Sequence, residues 1–255
     1  MYSFIDKYSD LDSLIHRLDP RTKFIASLAF IISVLLVPTS NWRAFALHFS
    51  LMTSLLIIAK LPPFYVLKRS LVIFPFVLLV AVFIPFITPG EIAGSYNIWL
   101  WQVSVTYAGL LILANVAVKG CLCIFSLILL SATTRFVDLL KGLKQLGTPK
   151  VIILILSFMY RYIFLLVDEA MRMRQARDSR SFGGGRLRQL KTLGNMIGTL
   201  FIRSYERGES IYAAMLCRGF GDEIRSLRQL GFKRIDASFG VAFSLVIISS
   251  AIIFW

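Results

Sequence analysis

From residue 70 to residue 118 the chain contains no lysine and no arginine. One apolar run opens this stretch at residues 70–88, and a second, residues 105–132, closes it and continues past it with Lys119 as its only charge. Runs near 20 residues are long enough to cross a hydrocarbon core of about 30 Å as helices. A backbone in that environment must satisfy its own hydrogen bonds, which restricts the choice to helices or a closed barrel. Composition agrees, with 57% apolar and 16% charged residues and a mean hydropathy of +0.73. A soluble domain carries about 45–50% and about 25% of these classes. The chain therefore reads as an all-α polytopic membrane protein.

Five spans are expected. Residues 1–23 form a polar leader with no apolar core of a signal peptide. Pro20 is placed to start a helix, with Asp19 before it as a cap. Residues 24–38 make a short first run, about 22 Å at 1.5 Å per residue, which crosses if Arg21 and Lys23 snorkel to the interface. Residues 44–59 return, giving a tight transmembrane hairpin. Lys60-Leu61-Pro62-Pro63 breaks the chain, and the third run contains Pro75 and Pro85, which predict a kink or an unwound end. Residues 89–103, with Gly90, Glu91, Gly94, Trp99 and Trp101, read as a loop on the outer face. The fourth run carries Lys119, a functional candidate by its depth, or a residue turned toward a neighbouring helix or polar cavity. Thus 24–132 is a membrane domain of four spans, 133–235 a cytoplasmic coupling domain, and 236–255 a final transmembrane helix.

The charge distribution supports this division. Of 28 Lys+Arg, 19 fall in residues 133–235, against 8 of the 14 Asp+Glu. A net charge of +14 on a soluble protein would point to nucleic acid. Here it reads as the positive charge of a cytoplasmic region, with no nucleic-acid partner expected. Three amphipathic helices are predicted, ending near Leu146-Gly147-Thr148-Pro149, near Phe182, and at Arg218, with a hinge at Gly183-Gly184-Gly185. Residues 151–167 are apolar enough to pass for a span. If they crossed, residues 170–235 would lie outside with 14 Lys+Arg against 5 Asp+Glu, against the positive-inside bias. That helix is read as lying under or partly within the membrane.

No catalytic constellation is present. His16 and His48 are the only histidines, and no Walker A, dinucleotide, HExxH or CxxC pattern occurs. Cys121, Cys123 and Cys217 read as free thiols. The chain is expected to be neither an enzyme nor a holder of metal or cofactor. What remains is a repeated helix end: Ser179-Arg180-Ser181-Phe182 and, 38 residues on, Cys217-Arg218-Gly219-Phe220, each with an acid 12 residues earlier, Asp168 and Glu206. Two surface helix ends, where arginine suits the negative end of the macrodipole, would look the same. An arginine between small residues can also enter a groove on a partner and bond carboxylates or carbonyls with its five-donor fork. Gly219 should close the second end in the left-handed conformation.

Three blocks carry a resemblance. They are the leader (Ile5-Asp6-Lys7-Tyr8-Ser9, then His16-Arg17-Leu18-Asp19-Pro20-Arg21-Thr22-Lys23), Leu143-Lys144-Gln145-Leu146-Gly147-Thr148-Pro149, and residues 203–220, of which Ser204-Tyr205-Glu206-Arg207-Gly208-Glu209 is the most specific. Together they resemble the transmembrane T component of energy-coupling factor (ECF) transporters, most closely the cobalt-type CbiQ family. The resemblance implies five spans, a three-helix cytoplasmic coupling domain, and two Ala-Arg-Gly-like motifs that insert into two ATP-binding cassette ATPase subunits. It implies a separate substrate-capture membrane protein, expected to bind cobalt, with nickel or a vitamin as alternatives. Carried over by position, the motif arginines are Arg180 and Arg218, flanked by Ser179, Ser181, Cys217 and Gly219. Ala176-Arg177-Asp178 offers Arg177 as an alternative alignment of the first. Arg203, Glu206, Arg207 and Glu209 would support the third helix, with Arg203 pairing with Glu206 or Glu206 with Arg207 for about 0.2–0.5 kcal/mol. The implied location is a bacterial or archaeal cell membrane, N-terminus inside and C-terminus outside. An ordinary ABC permease would normally show a Glu-Ala-Ala-type coupling loop and a homologous second half, and neither is visible.

Overall fold

The computed structural model describes residues 13–38, 41–89, 92–98, 101–180, 185–221, 231 and 234–254. Among them are nine helices and one pair of strands. They are α1 (Pro20–Leu36), α2 (Trp42–Ile58), α3 (Pro63–Ala81), α4 (Ile84–Ile87), β1 (Ile92–Ile98), β2 (Trp101–Thr106), α5 (Tyr107–Thr133), α6 (Phe136–Gln145), α7 (Lys150–Arg180), α8 (Arg186–Cys217) and α9 (Arg234–Phe254). The protein is an all-α membrane protein with one small hairpin. Pro63–Ile87, Tyr107–Thr133 and Lys150–Arg180 are long and apolar enough to cross a membrane, and Trp42–Ile58 is a shorter apolar helix. The chain divides into two compact units, Ser3–Gly142 with Leu230–Trp255, and Leu143–Gln229.

In the first unit α5 is the central element, packing against α1, α2, α3 and α4. Leu122 enters one apolar cluster with Phe30 and Val34 of α1, Phe45 and Met52 of α2 and Phe243 of α9. Two residues on, Ile124 with Ile128 and Ala132 enters a second cluster with Ile15, Ala59, Leu61 and Val66. Helical spacing turns these two sets to different sides of α5, so one helix organises both. Glycines bring neighbours close. A Cβ on Gly109 would lie 2.5 Å from the Cα of Pro85, and one on Gly120 would lie 2.8 Å from a methyl of Val77. Outward, α3 exposes Leu71, Val72, Phe76, Leu79 and Val80, as suits a helix whose outer solvent is hydrocarbon.

Polar bonds fix the register of α1. Asp19 caps it, accepting from the backbone N–H of Arg21 at 3.0 Å, and Pro20 occupies the first turn. The backbone N–H of Asp19 donates to Asp236 Oδ1 at 2.8 Å, so α9 begins beside the start of α1. Lys23, one residue before the apolar run, is buried and donates from Nζ to the carbonyls of Thr133 (2.9 Å) and His16 (3.1 Å). Burial lowers its pKa to about 8, against the opposing pull of Asp138, Asp236 and Asp19. At the other end, Lys119 donates to the carbonyls of Leu35 and Val37, at 2.9 and 2.7 Å. Helix α1 therefore runs antiparallel to α5, between Thr133 and Lys119.

Two expectations change in detail. Pro75 lies inside α3 without ending it, and the interruption comes at Val82-Phe83, after which Pro85 sits in the first turn of α4. The expected loop at 89–103 contains an antiparallel pair instead. Ile98 faces Trp101, Tyr96 faces Val103, Ser95 faces Ser104, and a register shift falls between Ile92 and Gly94. Trp101-Gln102-Val103-Ser104-Val105-Thr106 alternates apolar and polar residues with β-branched side chains, the pattern of a strand. Gly90, Glu91 and Trp99 lie outside the described residues.

Candidate coupling site

The second unit is built on two long helices. α7 has neither Gly nor Pro among its 31 residues, and no residue of it is buried. Its start is prepared by the end of α6. Gly147 takes φ +97°, and the N–H groups of Gly147 and Thr148 donate to the carbonyls of Lys144 (3.4 Å) and Leu143 (3.2 Å). These two bonds close the last turn in a Schellman motif, and Pro149 cannot continue it.

α8 ends in the same way, at the predicted glycine. Arg218 is the C-cap and Gly219 has φ +72°. Gly219 N–H donates to Leu216 O and Phe220 N–H to Met215 O, both at 3.0 Å. Arg218 thus stands on the last residue before the chain leaves the helix, fixed by a left-handed turn that a residue without Cβ accepts without strain. Its side chain is exposed, as are Cys217 and Gly219. Among the described residues no side-chain bond engages the Arg218 guanidinium.

The first motif is placed less completely. Arg180 is the last residue of α7 and exposed; Ser179 is exposed and donates to the carbonyl of Ala176 at 3.1 Å. Ser181, Phe182 and the first two glycines of the expected hinge, Gly183 and Gly184, lie outside the described residues. The alternative, Arg177, is half-buried and engaged. Its Nε and Nη2 donate to Asp178 Oδ1 at 2.9 and 2.6 Å, and Arg174 reaches the other oxygen of that carboxylate at 3.8 Å. Docking through Arg177 would break these bonds first, whereas Arg180 makes no side-chain bond among the described residues.

The supporting residues correct one expectation. Arg203 does not pair with Glu206. Its Nη1 donates to Glu169 Oε1 of α7 at 2.6 Å, and Glu169 also meets Arg172, one turn along α7, at 3.4 Å. An arginine N-terminal to its acid is the weaker orientation on a helix, and a residue on the facing helix competes successfully. Glu206, Arg207 and Glu209 are exposed, with no side-chain bond among the described residues. Spacing does not single out Glu169, because its neighbour Asp168 stands at the repeated distance from Arg180.

α7 and α8 pack against each other, with Arg203–Glu169 joining them, and Thr192, Met196, Leu200, Ser204, Ile211 and Met215 of α8 are half-buried. Ile197, Phe201, Tyr205 and Tyr212 are exposed. From Glu169 to Arg180 is about 16 Å of helix and from Arg203 to Arg218 about 22 Å. The two chain directions carry these ends away from the contact on different helices. Among the described residues no group of His, Cys, Asp and Glu is arranged to hold a metal ion.

Comparison with known proteins agrees with this arrangement of elements. The sequence profile of the family described as cobalt transport protein, CbiQ, matches residues 12–229. An energy-coupling factor transporter transmembrane protein of Listeria innocua is 29% identical over 98% of this chain and 97% of its own length. One of Ruminiclostridium cellulolyticum is 30% identical over 91% of this chain and 90% of its own. An uncharacterised protein of Methanocaldococcus jannaschii is 29% identical over 98% of this chain and 86% of its own. With a family profile covering most of its length and relatives matched nearly end to end, the chain belongs to the CbiQ family of transmembrane T components of energy-coupling factor transporters.

Proposed function

We propose that this T component transmits the motion of two ATP-binding cassette ATPase subunits to a separate substrate-capture membrane protein, through Arg218 and Arg180. The observation that carries this reading is the exposed, uncommitted guanidinium of Arg218 at a helix end closed by Gly219. A fixed fork between the small neighbours Cys217 and Gly219 can enter a groove and reach carboxylates or carbonyls there. Arg180 is the second contact, and its distance along α7 from the α7–α8 contact suits a second subunit. The chain itself lacks nucleotide-binding motifs, so ATP hydrolysis belongs to the partners. ATP binding draws the two subunits together, the docked ends follow, and the helices transmit the motion.

In this reading residues 133–235 are cytoplasmic, with α7 lying under or partly within the membrane. The N-terminus is inside, the C-terminus outside, and the cell is bacterial or archaeal. Cobalt is the proposed cargo, supported by the description of the matched family; the matched energy-coupling factor relatives are named without a substrate. Selectivity resides in the capture protein, which leaves nickel or a vitamin as the second reading. The test is purification of the tagged protein from its native membrane, followed by identification of co-purifying subunits and bound metal. Recovery with two ATPase subunits supports the reading. Intact uptake of radioactive Co²⁺ by Arg218→Ala at normal membrane level would overturn the coupling role. Loss of that anchor should weaken ATPase attachment by about 2–5 kcal/mol.

A further inference from the structure

We infer that Glu169 and Arg203 form the fixed pivot about which α7 and α8 turn, so that the two residues act as positioning residues for the coupling motion. The inference rests on the coupling reading above and adds to it a definite centre of rotation.

Four observations carry it. First, the pair joins the two helices directly, at 2.6 Å. Second, the Glu169 side chain is only 24% exposed and is held from its own helix by Arg172 at 3.4 Å, so the acceptor is oriented from both sides. Third, the pair lies well inside both helices, with long arms beyond it in each direction, and α7 has no Gly or Pro at which to bend. Fourth, the surrounding packing is shallow: no residue of α7 is buried, and neither is any described side chain of α8. Two stiff rods in shallow contact can change their angle with little repacking, unlike helices locked by interdigitated buried side chains.

An Arg–carboxylate pair with an exposed arginine adds little stability, since Arg203 is 58% exposed. Its effect is geometric. It selects which turns of α7 and α8 face each other, and opposite charges hold that point while the ends move.

The distances of a rigid lever set the test. Ala176 and Ala213 lie about 10 Å and 15 Å from the pair along their helices, whereas Met171 and Ile202 lie within about 3 Å of it. All four side chains are exposed. Ketone-bearing residues at each position, labelled with a hydroxylamine nitroxide, leave the three native cysteines untouched. Distances are measured by double electron–electron resonance in the complex with its co-purified ATPases, with and without a non-hydrolysable ATP analogue. The expected result is a clear shift for 176–213 and a several-fold smaller one for 171–202. Equal shifts at both pairs would overturn the pivot while leaving the coupling reading intact. An analogue-bound complex with no shift at 176–213 would overturn the coupling reading itself.

Charge reversal assigns the restraint to these two residues. Glu169→Arg and Arg203→Glu should each enlarge the 171–202 shift and lower uptake per ATP hydrolysed by about two- to tenfold. The double reversal should restore both. A single reversal that leaves the 171–202 pair static, or a double reversal that restores nothing, would remove the pair from the mechanism. If a reversal prevents assembly, Glu169→Gln keeps the side-chain size and is read by the same two measurements.

Discussion

The ammonium of Lys119 lies 2.7 Å from the carbonyl oxygen of Val37 and 2.9 Å from that of Leu35. A lysine in the middle of the apolar helix α5 thus closes the end of another helix, whose last carbonyls have no partner within α1. Its charge meets the negative end of the α1 dipole, and no carboxylate is required. Lys119→Leu should therefore destabilise the protein by about 1.5–3 kcal/mol, the range for losing a hydrogen bond from a charged donor. Thermal unfolding in detergent measures this, and a variant as stable as the native protein would contradict the capping role.

Lys23 gives a pH dependence. Its folded pKa of about 8 lies below the ordinary 10.5. Between these values the unfolded chain holds the proton more tightly, so the folded state gains stability as pH rises from about 8 toward 10.5. Below pH 8 both states are charged, and the folded one carries the desolvation penalty in full. Other groups titrate in this window but cancel in a comparison. The melting temperature of the native protein minus that of Lys23→Met should rise between pH 8 and pH 10. A flat difference would mean that Lys23 is solvated in the folded state.

Glycine positions on α5 should differ in tolerance. At Gly109 an added methyl meets backbone, the Cα of Pro85 at 2.5 Å, and the Thr106 hydroxyl at 2.9 Å. At Gly120 it meets only a methyl of Val77. Overpacking typically costs about 1–3 kcal/mol, and backbone yields less readily than a side chain. Gly109→Ala should lie at or above the top of that range and Gly120→Ala nearer the bottom. Unfolding midpoints of the two variants in the same detergent decide the order.

Helix ends were legible where local chemistry sets them. Asp19-Pro20 starts α1, and Gly147 and Gly219 both take positive φ where helices stop. The strand pair was legible too, in the alternation of Trp101, Val103 and Val105, but composition favoured a loop. Partners distant in sequence were not. Nothing local ties Lys119 to Val37, Asp19 to Asp236, or Arg203 to Glu169. Each bond depends on which helices become neighbours and in what register, and a single sequence with helical periodicity leaves that choice open. Of the candidate site, the position of Arg218 could be read from its flanking residues. The engagement of Arg177 by Asp178, which favours Arg180, could not: adjacent residues on a helix do not normally face each other.

Gly219 offers the last test, because it separates the arginine from the geometry that presents it. At φ +72° a side chain with a Cβ is strained by about 1–2 kcal/mol. Asparagine tolerates the left-handed conformation better than alanine. Gly219 N–H and Phe220 N–H would both be pulled from their carbonyls if the turn opened, and the direction of Arg218 would be lost while its charge remained. Among the described residues nothing lies within 4 Å of a Cβ built there, which points any loss to backbone conformation or a partner. Gly219→Asn should retain most ATPase co-purification, and Gly219→Ala should retain less. If both variants lose it equally, a partner surface excludes any side chain at this position. If neither does, the Schellman turn is not what directs Arg218.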